Sequence, residues 1–197
     1  TGASTIGEIE VAVTVIKEEG NKNIALLHCI SNYPTNDKDA NLRMITHLQK
    51  AFPDIPIGYS DHTLPDDGEG ILTAAVALGA RIIEKHFTFN NKRTGYDHAI
   101  SADYEGLKRL VMQIRRVEKA LGEEYKRPIA SEMKARLHAR RSLVAAVDIL
   151  KDTVITREMI DIKRPGTGIE PRFIDTIIGR KVTADIKADT LLKWDMV

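Results

Sequence analysis

The sequence holds a single cysteine, Cys29, among 197 residues, which excludes an internal disulfide and fits a reducing compartment. Charge of one sign is also lacking. Lys plus Arg number 29 against 28 for Asp plus Glu, so no net basic field recommends nucleic acid or an anionic membrane as a partner. No apolar run reaches the roughly 18 residues that a bilayer span needs. The first residues carry no signal-peptide pattern, and a cytoplasmic, soluble protein is expected. Sequence repeats and low-complexity tracts are missing too. So is an initiator methionine: Thr1-Gly2-Ala3-Ser4-Thr5 reads as a loop of small residues opening into a helix, as in a chain that starts inside a longer one.

What is present alternates. Residues 5–20 place Ile6, Ile9, Val13 and Ile16 at helical spacing, with Gly20 as a stop. Residues 24–29 form a short apolar run expected as a strand, and a helix is expected from about Ala40 to Phe52. A second strand runs from Ile55 toward Ser60-Asp61-His62. After an acidic turn, Pro65–Gly70, a helix follows over 71–79, then a third strand over Arg81–Phe87 and a helix over 103–121. Strand–helix alternation with short connections is the mark of parallel βαβ units. Residues 123–140 are charged, contain Pro128 and read as a linker. From Arg141 onward, short β-like runs separated by turn residues predict a small, mostly-β domain.

Each of the three strands turns polar at its C-terminal end: His28-Cys29, Ser60-Asp61-His62, then Glu84 and His86. In parallel α/β architectures those ends and the loops after them build the active-site face. Alternation puts Ile82, Glu84 and His86 on one face of the third strand, and Ile83, Lys85 and Phe87 on the other. Two imidazoles with carboxylates suit a divalent ion such as Mn²⁺, Co²⁺, Zn²⁺ or Mg²⁺, and equally an acid–base pair. Taken singly, His62 reads as well as a cap or loop residue, and His86 as a hydrogen-bonded structural histidine. His28-Cys29 could be half of a zinc site, but no second cysteine completes it. A Ser-His-Asp reading lacks a nucleophile-elbow motif. Arg164, ahead of Pro165-Gly166, has a fork suited to carboxylate, phosphate or carbonyl-rich ligands; a surface arginine in an ordinary turn is the plainer alternative.

The motifs "LLHCISNYP" (26–34), "IGYSDHTL" (57–64), "AAVALGARIIEKHFTF" (74–89), "YDHAIS" (96–101), "ARRSLVAA" (139–146) and "IKRPGTGI" (162–169) occur in the order found in sialic acid synthases. The chain resembles that family, which includes legionaminic and pseudaminic acid synthases and a spore-coat polysaccharide synthase. The resemblance implies an α/β fold: the C-terminal half of a (β/α)8 TIM barrel (1–122), a linker (123–140), and an antifreeze-like (SAF, β-clip) domain (141–197). It also implies a transferase that condenses phosphoenolpyruvate with an N-acetylated amino sugar such as N-acetylmannosamine, giving a nine-carbon 2-keto sugar acid and phosphate. A divalent metal is implied as cofactor, Mn²⁺ first, with Mg²⁺ or Co²⁺ as alternatives.

By the resemblance, His62 and His86 are the metal ligands, and Glu84 holds sugar hydroxyls or metal-bound water. Ser60 and Ser31 help bind the phosphate of phosphoenolpyruvate; Tyr33 and Asp97 border the sugar. Arg164 reaches the N-acetyl group in a neighbouring subunit, which implies a domain-swapped homodimer. Two departures from the family pattern stand out. Pro65-Asp66-Asp67-Gly68 lengthens the segment between the histidines, and "TGYDH" (94–98) replaces the common "PGPDH". The phosphate-binding lysines and a glutamate expected in the first half of the barrel lie outside this chain, so residues 1–197 alone are expected not to complete the reaction. A non-catalytic carbohydrate- or partner-binding module built on the SAF domain is the alternative.

Overall fold

The computed structural model describes residues 1–66 and 69–197, so the Asp67-Gly68 part of the expected acidic turn and insertion lies outside the described residues. The chain divides into two compact units, Thr1–Glu123 and Glu124–Val197.

In the first unit, strands β1 (Leu26–Cys29), β2 (Ile57–Asp61) and β3 (Ile83–Lys85) form a parallel sheet in the order β1-β2-β3. Helix α1 (Ile6–Glu18) starts where Thr5 and Glu8 satisfy each other's backbone donors: Thr5 N donates to Glu8 Oε2 at 2.7 Å, and Glu8 N donates to Thr5 Oγ1 at 3.4 Å. Helices α2 (Arg43–Ala51) and α3 (Gly70–Ala77) pack on the sheet, and α4 (Tyr104–Leu121) packs on α3. Asp103 caps α4 by accepting from Gly106 N at 2.8 Å.

The core follows from the pleat. Leu26, Ile57 and Tyr59 face the helices and are buried with Ile45, Leu48, Leu72, Ala75 and Leu110, joined by Ile9 and Val13 of α1. Gly58 points the other way, where β2 and β3 approach so closely that a Cβ would lie 2.5 Å from Ile82 O. The observed β3 is shorter than the expected Arg81–Phe87 strand. Arg81 N and Tyr59 N still pair with Ile57 O and Ile82 O, but after Lys85 the chain leaves β2, and Phe87 bridges Ala102 instead.

In the second unit, α5 (Met133–Ala139) occupies the segment read as a linker, preceded by a 3₁₀ turn at Ala130–Glu132. Strands β4 (Ser142–Ala145) and β5 (Ile160–Lys163) pair antiparallel, and α6 (Ile174–Ile177) follows. The runs near 154 and 181–186 make isolated bridges, Val154–Lys181 and Ile149–Ile186. Their apolar residues nevertheless enter one core with Leu143, Ile155, Ile169, Ile177, Val182 and Leu192.

Candidate active site

The residues that follow the three strands converge, and backbone hydrogen bonds make them do so. After β1, the loop carrying Tyr33 is tied down by Thr35, whose N–H donates to His62 O at 2.9 Å and whose hydroxyl donates to Asn32 O at 2.8 Å. After β3, Ala102 N donates to His86 O and Thr88 N to Ala102 O, at 2.8 and 2.9 Å. The hydroxyl of Ser101 donates to Asp97 O at 2.7 Å, which closes the loop back on the strand end.

Within this frame, the His62 and His86 rings lie 5.1 Å apart, centroid to centroid, at an interplanar angle of 83°. The Tyr33 ring is 4.1 Å from His62 and 6.0 Å from His86. His62 is buried, and its Nδ1 lies 2.9 Å from Ile30 O. A carbonyl only accepts, so Nδ1 carries the hydrogen and Nε2 is left with its lone pair. Cys29 Sγ approaches the same Nδ1 at 3.8 Å. On His86, Nδ1 faces Asp97 Oδ2 at 3.5 Å, which aligns that ring in the same sense.

Two strand positions deeper on this face, Ser60 Oγ donates to Glu84 Oε1 at 2.8 Å, across directly paired residues. The exposed Ser31 sits just past the end of β1, with its Oγ 2.2 Å from where a Cβ on Gly2 would lie. The structure thus brings Tyr33, Ser60, His62, Glu84, His86 and Asp97 together at one end of one sheet face. Arg164 belongs to the second unit. It is exposed at the end of β5, on a turn held by Ser142, whose hydroxyl donates to Pro165 O at 2.7 Å and accepts from Gly168 N at 2.9 Å.

Not every polar strand end contributes. His28 turns toward the helices, where its Nε2 donates to Ala40 O at 2.8 Å and its ring stacks on Tyr59 at 5.6 Å. Burial lowers its pKa below the ordinary imidazole value, against the opposing pull of the Ala40 carbonyl. Asp61 also turns away. It accepts from Lys85 Nζ at 2.6 Å and from Tyr59 Oη at 3.0 Å, and burial followed by the Asp61 charge pushes the Tyr59 phenol up. The sequence reading left Lys85 without a role and did not pair it with Asp61. Strict alternation from Ser60 and Glu84 was the signal that both face the helices together.

Chemically, the arrangement offers two imidazole nitrogens, a carboxylate held by a hydroxyl, and an aromatic ring. No group of three or more His, Cys, Asp or Glu side chains is set for a metal among the described residues. Two nitrogen donors suit a borderline divalent ion whose other positions are taken by water or substrate oxygen.

Residues 1–126 match the NeuB family, and residues 140–197 match the SAF domain. The chain belongs to the NeuB family. An uncharacterized protein of Methanocaldococcus jannaschii is 48% identical over 197 residues, covering 99% of this chain and 57% of that protein. The N,N'-diacetyllegionaminic acid synthase of Legionella pneumophila is 39% identical, covering 100% of this chain and 55% of that protein. Among solved NeuB-like structures, an N-acetylneuraminic acid (sialic acid) synthetase from Leptospira borgpetersenii is similar with a TM-score of 0.60 and 42% identity, covering 68% of this chain and 45% of that one. The chain thus spans about half the length of the curated relatives it matches.

Proposed function

We propose that the protein carrying this chain condenses phosphoenolpyruvate with an N-acetylated amino sugar to give a nine-carbon 2-keto sugar acid and phosphate. In this reading the first unit is the second half of a (β/α)8 barrel, and its polar sheet face is the barrel mouth. The observation that carries it is the pairing of His62 with His86 beside Ser60–Glu84, on neighbouring parallel strands of a chain that belongs to the NeuB family.

His62 and His86 would hold a divalent cation, Mn²⁺ first among Mn²⁺, Mg²⁺ and Co²⁺, through the nitrogens left free by Ile30 O and Asp97. Such an ion, when bound, supplies Lewis-acid polarisation of the sugar's open-chain aldehyde. The side chains supply the rest. Glu84, oriented by Ser60, accepts from sugar hydroxyls; Ser60 and Ser31 donate to phosphate oxygens. Tyr33 presents a flat apolar wall to the sugar, and Asp97 fixes the His86 ring while bordering the sugar site. Arg164, exposed on its turn, would bind the N-acetyl carbonyl of sugar held by a neighbouring copy, which makes the working form a domain-swapped homodimer.

Incubating the full-length polypeptide with phosphoenolpyruvate, Mn²⁺ and a panel of 2-acetamido sugars, and following inorganic phosphate, tests the reading. Sugar-dependent release is expected. Absence of release with every sugar in the panel overturns it.

A further inference from the structure

Behind the site face, on the helix side of the sheet, lies an ionic network. Asp61 and Lys85 are paired residues of β2 and β3, and both side chains point toward the helices. They are 1% and 4% exposed, with Lys85 Nζ 2.6 Å from Asp61 Oδ2. The same Nζ donates to Thr63 O at 2.6 Å. Asp61 also accepts from Tyr59 Oη at 3.0 Å, from Thr63 N at 3.1 Å, and from Thr63 Oγ1 at 2.9 and 3.0 Å to its two oxygens. Both Asp61 oxygens are engaged within residues 59–63 and 85, Lys85 uses two of its three N–H donors there, and the buried Glu69 carboxyl feels both charges.

A buried ion pair is a poor source of stability, because desolvating both charges offsets most of their attraction. Its best-attested service is fixing register. Here the residues it fixes are specific. Asp61 immediately precedes His62, Thr63 immediately follows it, and the network holds both. Lys85 immediately precedes His86. The pair thus clamps the backbone on both sides of one histidine and on the near side of the other, across the strand gap that separates them. We infer that Asp61 and Lys85 are positioning residues that set the separation and orientation of the His62 and His86 rings. This rests on the reading above that the two histidines act together on one ligand. A displacement of about 1 Å at a reacting centre costs on the order of 10²-fold in rate, so a clamp of this kind has consequences out of proportion to its own energy.

The test uses the full-length polypeptide with the paired change Asp61→Asn/Lys85→Met, which removes both charges together and leaves neither buried alone. Three measurements are made: cooperative melting by circular dichroism, metal-free ¹H–¹⁵N imidazole spectra, and Mn²⁺ affinity by paramagnetic resonance. The expected result is a folded protein with altered His62 and His86 imidazole signals and Mn²⁺ binding weakened by about 10–100-fold, as for the loss of other groups that orient metal ligands. A folded variant whose His62 and His86 signals and Mn²⁺ affinity match the wild type overturns the inference. If the paired variant does not fold, Asp61→Glu decides: it keeps both charges but moves the carboxylate away from Thr63 N and Thr63 Oγ1, and unchanged imidazole signals there overturn the inference equally. Failure of the cation reading looks different. In that case the wild type itself binds no Mn²⁺, while the imidazole spectra still report whether the clamp sets the rings.

Discussion

At the residue scale, the site is an arrangement of lone pairs. Ile30 O and Asp97 each engage an Nδ1 side of two rings 5.1 Å apart, and the proposed shared ligand would take the opposite nitrogens. His86→Ala removes one of them from a half-exposed position outside the packed core. It is expected to abolish measurable Mn²⁺ binding by titration calorimetry while the melting temperature changes little, since the ring is not enclosed. A large drop in melting temperature with binding retained would contradict that assignment. The alternation of "IIEKHF" made it readable in advance that Glu84 and His86 share a face. It could not show that Lys85 finds Asp61, because that contact depends on how two strands 24 residues apart are aligned.

At the scale of elements, helices α1 to α4 were legible in the sequence, while their caps were identified only in the structure. Thr5 with Glu8, Asp103 before α4, and Gly122 (φ 57°) after it mark helix ends by local chemistry alone. The shortness of β3 was not legible, because pairing ends where the neighbouring strand ends. Helix α5 was missed as well. Met133 and Leu137 do stand four apart, but their side chains remain half in solvent, and the segment's charge hides so weak a stripe. Gly58 is an element-scale position with little tolerance. Its Cβ would press on the Ile82 carbonyl at 2.5 Å and on Ile82 Cβ at 2.9 Å, and the backbone of β3 has to move to admit it. Gly58→Ala is expected to cost about 1–3 kcal/mol in urea unfolding, as overpacking of a tight core does. A variant within 0.5 kcal/mol of wild type would show that β2 and β3 can spread freely.

At the scale of the whole molecule, buried ionisable groups make stability depend on pH. His28 is held neutral by burial, so its folded pKa lies below the ordinary value of 6.5. The unfolded chain takes up that proton first. Stability is therefore full above about pH 6.5 and declines as pH falls from there through the folded value. Glu69 works in the opposite sense: burial, then Asp66, raises its pKa above 4.5, so its contribution is present below 4.5 and is lost as pH rises through the raised value. In urea midpoints from pH 7.5 to 5.5, His28 contributes a fall that Glu69 opposes, so the His28 share is read against a variant. His28→Phe keeps a ring against Tyr59 but cannot titrate, and its midpoints should fall less over that range, though they lie lower throughout because Ala40 O loses its donor. Equal slopes would remove His28 from the account.

The sequence by itself determined the strand–helix order of the first unit, the change of character after residue 140 and the face shared by Glu84 and His86. Those features depend on spacing and alternation, which act within a few residues. Only the tertiary structure decided that His28 and Asp61 turn from the site, that Asp61 meets Lys85, and that Tyr33 and Asp97 come to the two histidines. Those outcomes depend on strand register and on loops drawn back by hydrogen bonds such as Thr35 to His62 and Ala102 to His86, between residues far apart in the chain.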